Sequence, residues 1–413
     1  MKKFILLLIV CPALSFAQNL TLEGELTSGN NGTDIWEYID GNTGNVYAIV
    51  GGNGMSIVDV TDPTSPVQVE HLSSVPGFDV KVWDHYVYCS TAGGGTAMIV
   101  DISDPTNAQI VGSFPSGHNI FIDERGYMYI SSPGVTIYDL NPDPTNPTFL
   151  ITVGNEGHDV TVRGNLMIDC HGGSGTNLYD VTDPSAPILY SSITDPTISY
   201  HHQGDISTDG NYLYINDEGA SHPQADISVW DISDLNNPVR VSDISDPDAT
   251  THNLYVIGDY AYASYYRAGL KVFDITDPSV LVIADTYDTN PITGEGFGGA
   301  FGVYPSPITG NIYINDDGGV FIFSFDKLLS IEGSVDLEVD FSVAPNPVLN
   351  KTNLKLTSDT IDLVSVHSLL GTQIMEIEVQ EGSSNYELDL TALGAGVYFV
   401  TVNNLHTKKI VVR

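Results

Sequence analysis

Val272-Phe273-Asp274-Ile275-Thr276-Asp277-Pro278 is one of four near copies of a single heptad. The others are Ile57-Val58-Asp59-Val60-Thr61-Asp62-Pro63, Ile99-Val100-Asp101-Ile102-Ser103-Asp104-Pro105 and Leu178-Tyr179-Asp180-Val181-Thr182-Asp183-Pro184. Looser copies centre on Asp139 and Asp231, and a degraded one runs through Phe323-Ser324-Phe325-Asp326. A period of about 40 to 50 residues marks a repeat architecture, in which no unit buries its apolar face alone.

Each unit has the same order. A short strand leads through a Gly/Asn/Asp turn to a Tyr-rich strand such as Tyr212-Leu213-Tyr214-Ile215. The strand ending in Asp-x-x-Asp-Pro follows, and then a further short strand. β-branched and aromatic runs broken by turn residues are strand signals, and no stretch sustains a helical period. Seven units of four strands predict an all-β fold, a seven-bladed β-propeller over residues 18–327. The seventh unit lacks its fourth strand, whereas Leu20-Thr21-Leu22-Glu23-Gly24-Glu25-Leu26 precedes the first unit as an orphan. The N-terminal strand is therefore expected to complete the last blade. The Asp-Pro element needs no catalytic role: Asp accepts backbone hydrogen bonds in a turn, and Pro stops the strand.

The ends carry addresses. Lys2 and Lys3 precede an apolar run from Phe4 to Val10, and Ser15-Phe16-Ala17 offers small residues at a cleavage site, so residues 1–17 read as a signal peptide. No later stretch is apolar for the roughly 20 residues a membrane helix needs, so no transmembrane segment is expected in the mature chain. Cys11 is a poor lipidation site, because Leu8-Ile9-Val10 before it lacks small residues. Cys89 and Cys170 occupy equivalent strand positions two repeats apart and read as buried free thiols. Beyond a linker at 328–340 the composition changes: residues 341–413 carry five Lys and Arg against seven Asp and Glu. A second, immunoglobulin-like β-sandwich is expected there.

The charge excludes a nucleic-acid partner. The 413 residues hold 14 Lys and Arg against 52 Asp and Glu, and only seven of those cations lie between Gln18 and Asp340. Phosphate contacts need clustered cations. The expected partners are the secretion machinery, an extracellular polysaccharide or a protein, and the chain reads as a monomer.

Two resemblances follow from these motifs. The Ile-Val-Asp repeat with its Asp-Pro tail resembles the bacterial LVIVD repeats. His202-Gln203-Gly204, Asn216-Asp217-Glu218, His252-Asn253-Leu254-Tyr255 and Arg267-Ala268-Gly269-Leu270 resemble the longer choice-of-anchor B family of secreted proteins. That resemblance implies a secreted propeller and brings no activity with it. Val343-Ala344-Pro345-Asn346-Pro347, Leu369-Leu370-Gly371, Gly396-Val397-Tyr398-Phe399-Val400 and Lys408-Lys409-Ile410-Val411-Val412-Arg413 together resemble the C-terminal sorting domain of type IX secretion. It implies engagement of the type IX machinery through residues 341–413, passage across the outer membrane of a Bacteroidetes-type bacterium, and an extracellular or outer-surface location.

Chemistry is sought in the first strands. Their alignment puts Thr33-Asp34, Phe78-Asp79, His118-Asn119, His158-Asp159, His202-Gln203, His252-Asn253 and Gly299-Ala300 in one register, expected to ring one mouth of the channel. Alternation along a strand predicts that one member of each pair points inward. Imidazole is a borderline metal ligand. His118, His158, His202 and His252 are therefore the candidate transition-metal contacts, and with Asp79, Asp159, Gln203 and Asn253 they form a candidate ligand site. The competing account is that the histidines tie neighbouring blades together. Asn216-Asp217-Glu218-Gly219 and Asn315-Asp316-Asp317-Gly318 are candidate calcium turns through Asp217, Glu218, Asp316 and Asp317, although neither has a spaced calcium-loop pattern. No cofactor is certain; calcium and a transition metal are the candidates. No nucleophile elbow, His-Glu-x-x-His or phosphate loop occurs, and the Gly93-Gly94-Gly95 and Gly172-Gly173-Ser174-Gly175 runs read as hairpins. The expected role is an extracellular binding module. The alternatives are a metal-dependent hydrolase or lyase and a structural surface protein.

Overall fold

A computed structural model describes residues 19–27, 31–219, 225–328, 341–346, 348–356, 360–367, 373–394, 396–403 and 406–412. The signal peptide with Cys11, residues 329–340 of the linker and the Leu369-Leu370-Gly371 motif lie outside them. The described chain is all-β, with one 3-10 turn at Tyr266–Ala268.

Residues 19–328 form seven four-stranded antiparallel sheets, six of them from consecutive strands, spanning 35–72, 80–115, 120–153, 160–193, 201–244 and 254–287. The seventh takes its first three strands from residues 302–325 and its outer strand from Leu20–Thr27. Leu20 pairs with Phe325 and Thr27 with Gly319, so the orphan strand lies where the repeat count places it. The first strand of each sheet lies against that of the next, and Gly302–Pro305 of the seventh lies against Ile35–Ile39 of the first. The arrangement is propeller-like.

The apolar core is divided in the same way. Seven buried clusters each draw on two neighbouring sheets. Ile49, Met55 and Ile57 meet Val80, Val87 and Val100 between the first and second, and Tyr304, Tyr313 and Ile322 meet Ile35, Val50 and Val58 between the seventh and first. Inward side chains alternate with outward ones along the strands. Cys89 and Cys170 are free thiols, each buried in a different cluster.

Where it occurs, the Asp-Pro element makes the turn into the outer strand of its sheet. Asp62 Oδ1 accepts the Thr64 N–H and hydroxyl, and the Asp62 carbonyl accepts the Ser65 N–H at 3.0 Å. Asp104, Asp183 and Asp277 repeat both contacts with Thr106, Ser185 and Ser279. These aspartates are exposed and fully engaged in turn geometry.

The C-terminal unit has a three-stranded sheet and a four-stranded sheet. Phe341, Leu354 and Leu356 of the first share one core with Val364, Val366, Val400 and Ile410 of the second.

Candidate functional site

Four of the aligned first-strand pairs stand just before strands that begin at Val80, Ile120, Val160 and Leu254, whereas His202-Gln203 lies within the strand His201–Ile206. Each leading residue donates its N–H to the neighbouring strand: His118 to the Ser131 carbonyl, His158 to Cys170, His252 to Ser264 and Phe301 to Asn315. The seventh pair is therefore Phe301-Gly302, two residues on from the expected Gly299-Ala300. Ala300 lies in the segment that joins the sixth sheet to the seventh and donates to the Tyr266 carbonyl.

Six rings form a closed circuit. Phe78 meets His118 with centroids 4.9 Å apart, His118 meets His158 at 4.3 Å, and His158 meets His202 at 4.5 Å. His202 meets His252 at 4.2 Å, His252 meets Phe301 at 3.9 Å, and Phe301 returns to Phe78 at 5.8 Å. All four candidate histidines are thus neighbours. Beneath them lies a cavity of about 20 Å³ lined by both members of several pairs, among them His118, Asn119, His252 and Asn253. Strict alternation fails at His118-Asn119 and His252-Asn253, which precede regular strand backbone. The space holds about one water or one ion. Trp36 packs against Tyr255 and Tyr304, with the Lys81 ammonium 4.9 Å from the Trp36 ring.

Most second members of the pairs clasp the next sheet. Asp34 accepts the Val80 N–H at 3.1 Å, Asp79 the Ile120 N–H, Asn119 the Val160 N–H at 3.1 Å and Gln203 the Leu254 N–H at 2.9 Å. Asn253 donates to Gln203 Oε1 at 2.7 Å. Lys81 bridges Asp34 and Asp79 in the interior. Burial pushes the Asp79 carboxyl well up despite Lys81, whereas Lys81 outweighs burial at Asp34 and holds it below the usual carboxylate range.

Asp159 breaks this series. The donor equivalent to Val80, Ile120 and Val160 would be Gly204, in the strand His201–Ile206, which carries a bulge between His201 and Gln203; the Gln203 N–H goes to Asn216 Oδ1 as the Asn119 and Asn253 N–H groups go to Ser131 and Ser264 Oγ. The Asp159 carboxylate faces imidazoles instead, 3.1 Å from His158 Nδ1 and 3.8 Å from His202 Nδ1. Burial would raise its pKa, but His202 and His158 outweigh it and hold it low. Burial pulls His158 down, and Asp159 outweighs that, leaving it above the ordinary histidine value. Burial keeps His202 well below that value and His252 down at about 4.

The histidines divide by partner. His118 Nδ1 is 3.1 Å from the Ala92 carbonyl and His252 Nδ1 2.8 Å from the Phe301 carbonyl, so each ties its sheet to a neighbour. His202 Nδ1 is buried without a hydrogen bond, and Nε2 lies 3.8 Å from Glu218 Oε2. Two donor groups close enough to share an ion result, His118 with His158 and Asp159, and His158 with His202 and Glu218.

Glu218 thus stands with the histidines and apart from its neighbours in the acidic turn. Asp217 accepts the N–H groups of Ser199, Tyr200 and Gly219. Asp316 accepts from the Thr289 hydroxyl and the Gly318 N–H, and Asp317 from the Gly299 N–H. These three pin loops, and none belongs to a donor group among the described residues. Tyr266, whose hydroxyl donates to Glu218 at 2.5 Å, was not singled out by the repeat pattern, and neither was Phe301. The Phe-Gly step two residues beyond the expected seventh pair is the signal that would have located Phe301.

Comparison with known families agrees with two features of the chain. Residues 342–413 match the secretion system C-terminal sorting domain, and residues 43–73, 78–115 and 248–289 match the LVIVD repeat. No curated protein matches the chain significantly. The chain carries LVIVD repeats and a sorting domain that directs type IX secretion to the extracellular space or cell surface. No helix among the described residues is long and apolar enough to cross a membrane.

Proposed function

We propose that this LVIVD-repeat protein closes residues 18–327 into a seven-bladed propeller and serves outside the cell as a binding module whose channel mouth takes up one divalent transition-metal ion. His158 and His202 supply nitrogen donors and Glu218 the carboxylate, with Asp159 beside the two imidazoles. Residues 341–413 act as an immunoglobulin-like export domain, joined through a linker at 328–340, in keeping with the choice-of-anchor B pattern.

The observation that carries the reading is His202. A buried imidazole normally satisfies its nitrogens, yet His202 Nδ1 has no hydrogen bond and lies 3.8 Å from the Asp159 carboxylate, which faces imidazoles. An orphaned nitrogen, a low-pKa carboxylate and a one-ion space suit a cation better than they suit interblade bonding alone. The donor set favours a borderline metal over calcium, which prefers six to eight oxygens. A polysaccharide or protein partner would meet the loops, because the cavity admits neither.

Native mass spectrometry of the full mature chain with added zinc tests the proposal. The expected result is one ion per chain, retained at micromolar zinc and lost in both His202→Ala and His202→Phe. The Phe variant preserves ring packing, so its melting temperature separates metal loss from misfolding. Absence of stoichiometric zinc in the parent protein overturns the reading. A metal-dependent hydrolase or lyase remains a second reading on one observation, the Tyr266–Glu218 pair, a bonded proton donor and acceptor beside His202. Turnover on an ester and polysaccharide panel by the zinc-loaded protein decides it.

A further inference from the structure

Large apolar side chains exposed on the propeller fall mainly on outer strands, as Val67, Phe149, Ile188, Val239 and Val282 do. Two exposed aromatics stand elsewhere, Tyr200 against the imidazole circuit and Phe297 one ring removed from it. Tyr200 is 37% exposed and meets the His158 ring edge-on at 5.0 Å. Phe297 is 60% exposed and meets Tyr266 edge-on at 5.6 Å, while Tyr266 lies 4.9 Å from His252.

Both are held on pinned backbone. Asp217 grips the Ser199 and Tyr200 N–H groups at 2.6 Å each, and the Glu218 N–H donates to the Tyr200 carbonyl. Beside Phe297, the Gly296 N–H donates to Thr250 Oγ1 and the Arg267 guanidinium to the Glu295 carbonyl. Rings presented in fixed positions lose little entropy when a ligand stacks on them. Their exposure is otherwise unfavourable, since burying an aromatic ring stabilises.

Charge narrows the ligand. The propeller segment carries 41 acids against seven cations, so its field repels anions. A metal ion at the mouth repels cations. A neutral molecule remains, flat enough to stack on the rings and equipped to reach the metal.

We infer that the mouth binds a neutral aromatic ring bearing adjacent hydroxyl groups, with Tyr200 and Phe297 stacking on the ring and the hydroxyl oxygens directed to the metal position. This inference rests on the metal reading above, and the test separates the two. Isothermal titration of the full mature chain, zinc-loaded and zinc-free, uses catechol, 1,2-dimethoxybenzene, which lacks the hydroxyls, and cyclohexane-1,2-diol, which lacks the aromatic ring. Catechol is expected to bind the zinc-loaded protein alone, at least tenfold more tightly than either analogue. Tyr200→Ala and Phe297→Ala are each expected to weaken catechol by about 3- to 10-fold with zinc stoichiometry unchanged. Zinc uptake without catechol binding overturns this inference alone, as does equal binding of cyclohexane-1,2-diol or indifference to both variants. Failure to take up zinc overturns the metal reading and this one with it.

Discussion

Lys81 is buried between Asp34 and Asp79, and those carboxylates also clasp the second and third sheets through the Val80 and Ile120 N–H groups. One ammonium thus serves two inter-sheet joints. Replacing it by Met leaves two carboxylates in the interior without their counter-charge, and removal of one partner from a buried ion pair costs about 3–5 kcal/mol. Lys81→Met is expected to destabilise by that amount in urea unfolding, while the triple change Lys81→Met/Asp34→Asn/Asp79→Asn recovers most of it. Equal stability of the single variant and the parent would refute this assignment. The contrast with Asp159 was only partly visible in the sequence. A repeat alignment places Asp34, Asp79 and Asp159 in equivalent positions, and nothing in the aspartates themselves says that two clasp a neighbouring sheet and the third is released. The available clue was the doubled His201-His202, where other units have one leading residue. The bulge that accompanies it, between His201 and Gln203, depends on pairing with the next strand.

Short elements proved the most legible, because their chemistry is local. The Asp-Pro turn is recognisable from residue type alone, and its aspartates bond their own backbone two and three residues on. The pair register was legible for six sheets and failed in the seventh, where an insertion anchored through Asp316 and Tyr266 shifts the strand start by two residues. Such an offset is set by contacts distant in sequence. The turns also give a pH prediction. Asp183 is held below the usual carboxylate range by the Ser185 hydroxyl and N–H. A depressed folded-state pKa means the stabilisation is complete above the unfolded value and is lost as pH falls through the folded one. The melting-temperature gap between the parent and Asp183→Ala is therefore expected to be constant from about pH 7 to 5 and to narrow below about pH 4. A gap that stays constant down to pH 2.5 would show that the carboxylate charge contributes nothing to the turn.

At the scale of the whole molecule the decisive link is made by the two ends of residues 19–328. Each of the six other sheets in residues 19–328 is built from consecutive strands; the seventh must recruit Leu20–Thr27 across nearly 300 residues of intervening chain. Closing a long loop adds little cost per extra residue, since the entropy grows only logarithmically. Closure instead removes an exposed edge at Gly319–Phe325, which would otherwise offer its unpaired groups to another chain. The closing strand contributes buried side chains mainly through Leu20, which is 2% exposed and packs in the cluster with Val303, Ile312 and Phe325. Apolar burial and edge protection can therefore be separated. Leu20→Ala is expected to cost about 2–3 kcal/mol while the protein stays monomeric in light scattering. Deletion of residues 18–27 is expected to lower stability further and to cause concentration-dependent association through the uncovered strand. A deletion variant that remains monomeric at high concentration would mean that the edge is protected by something other than the N-terminal strand. Loss of stability equal to that of Leu20→Ala would mean that the strand acts through one side chain and that its backbone pairing adds nothing.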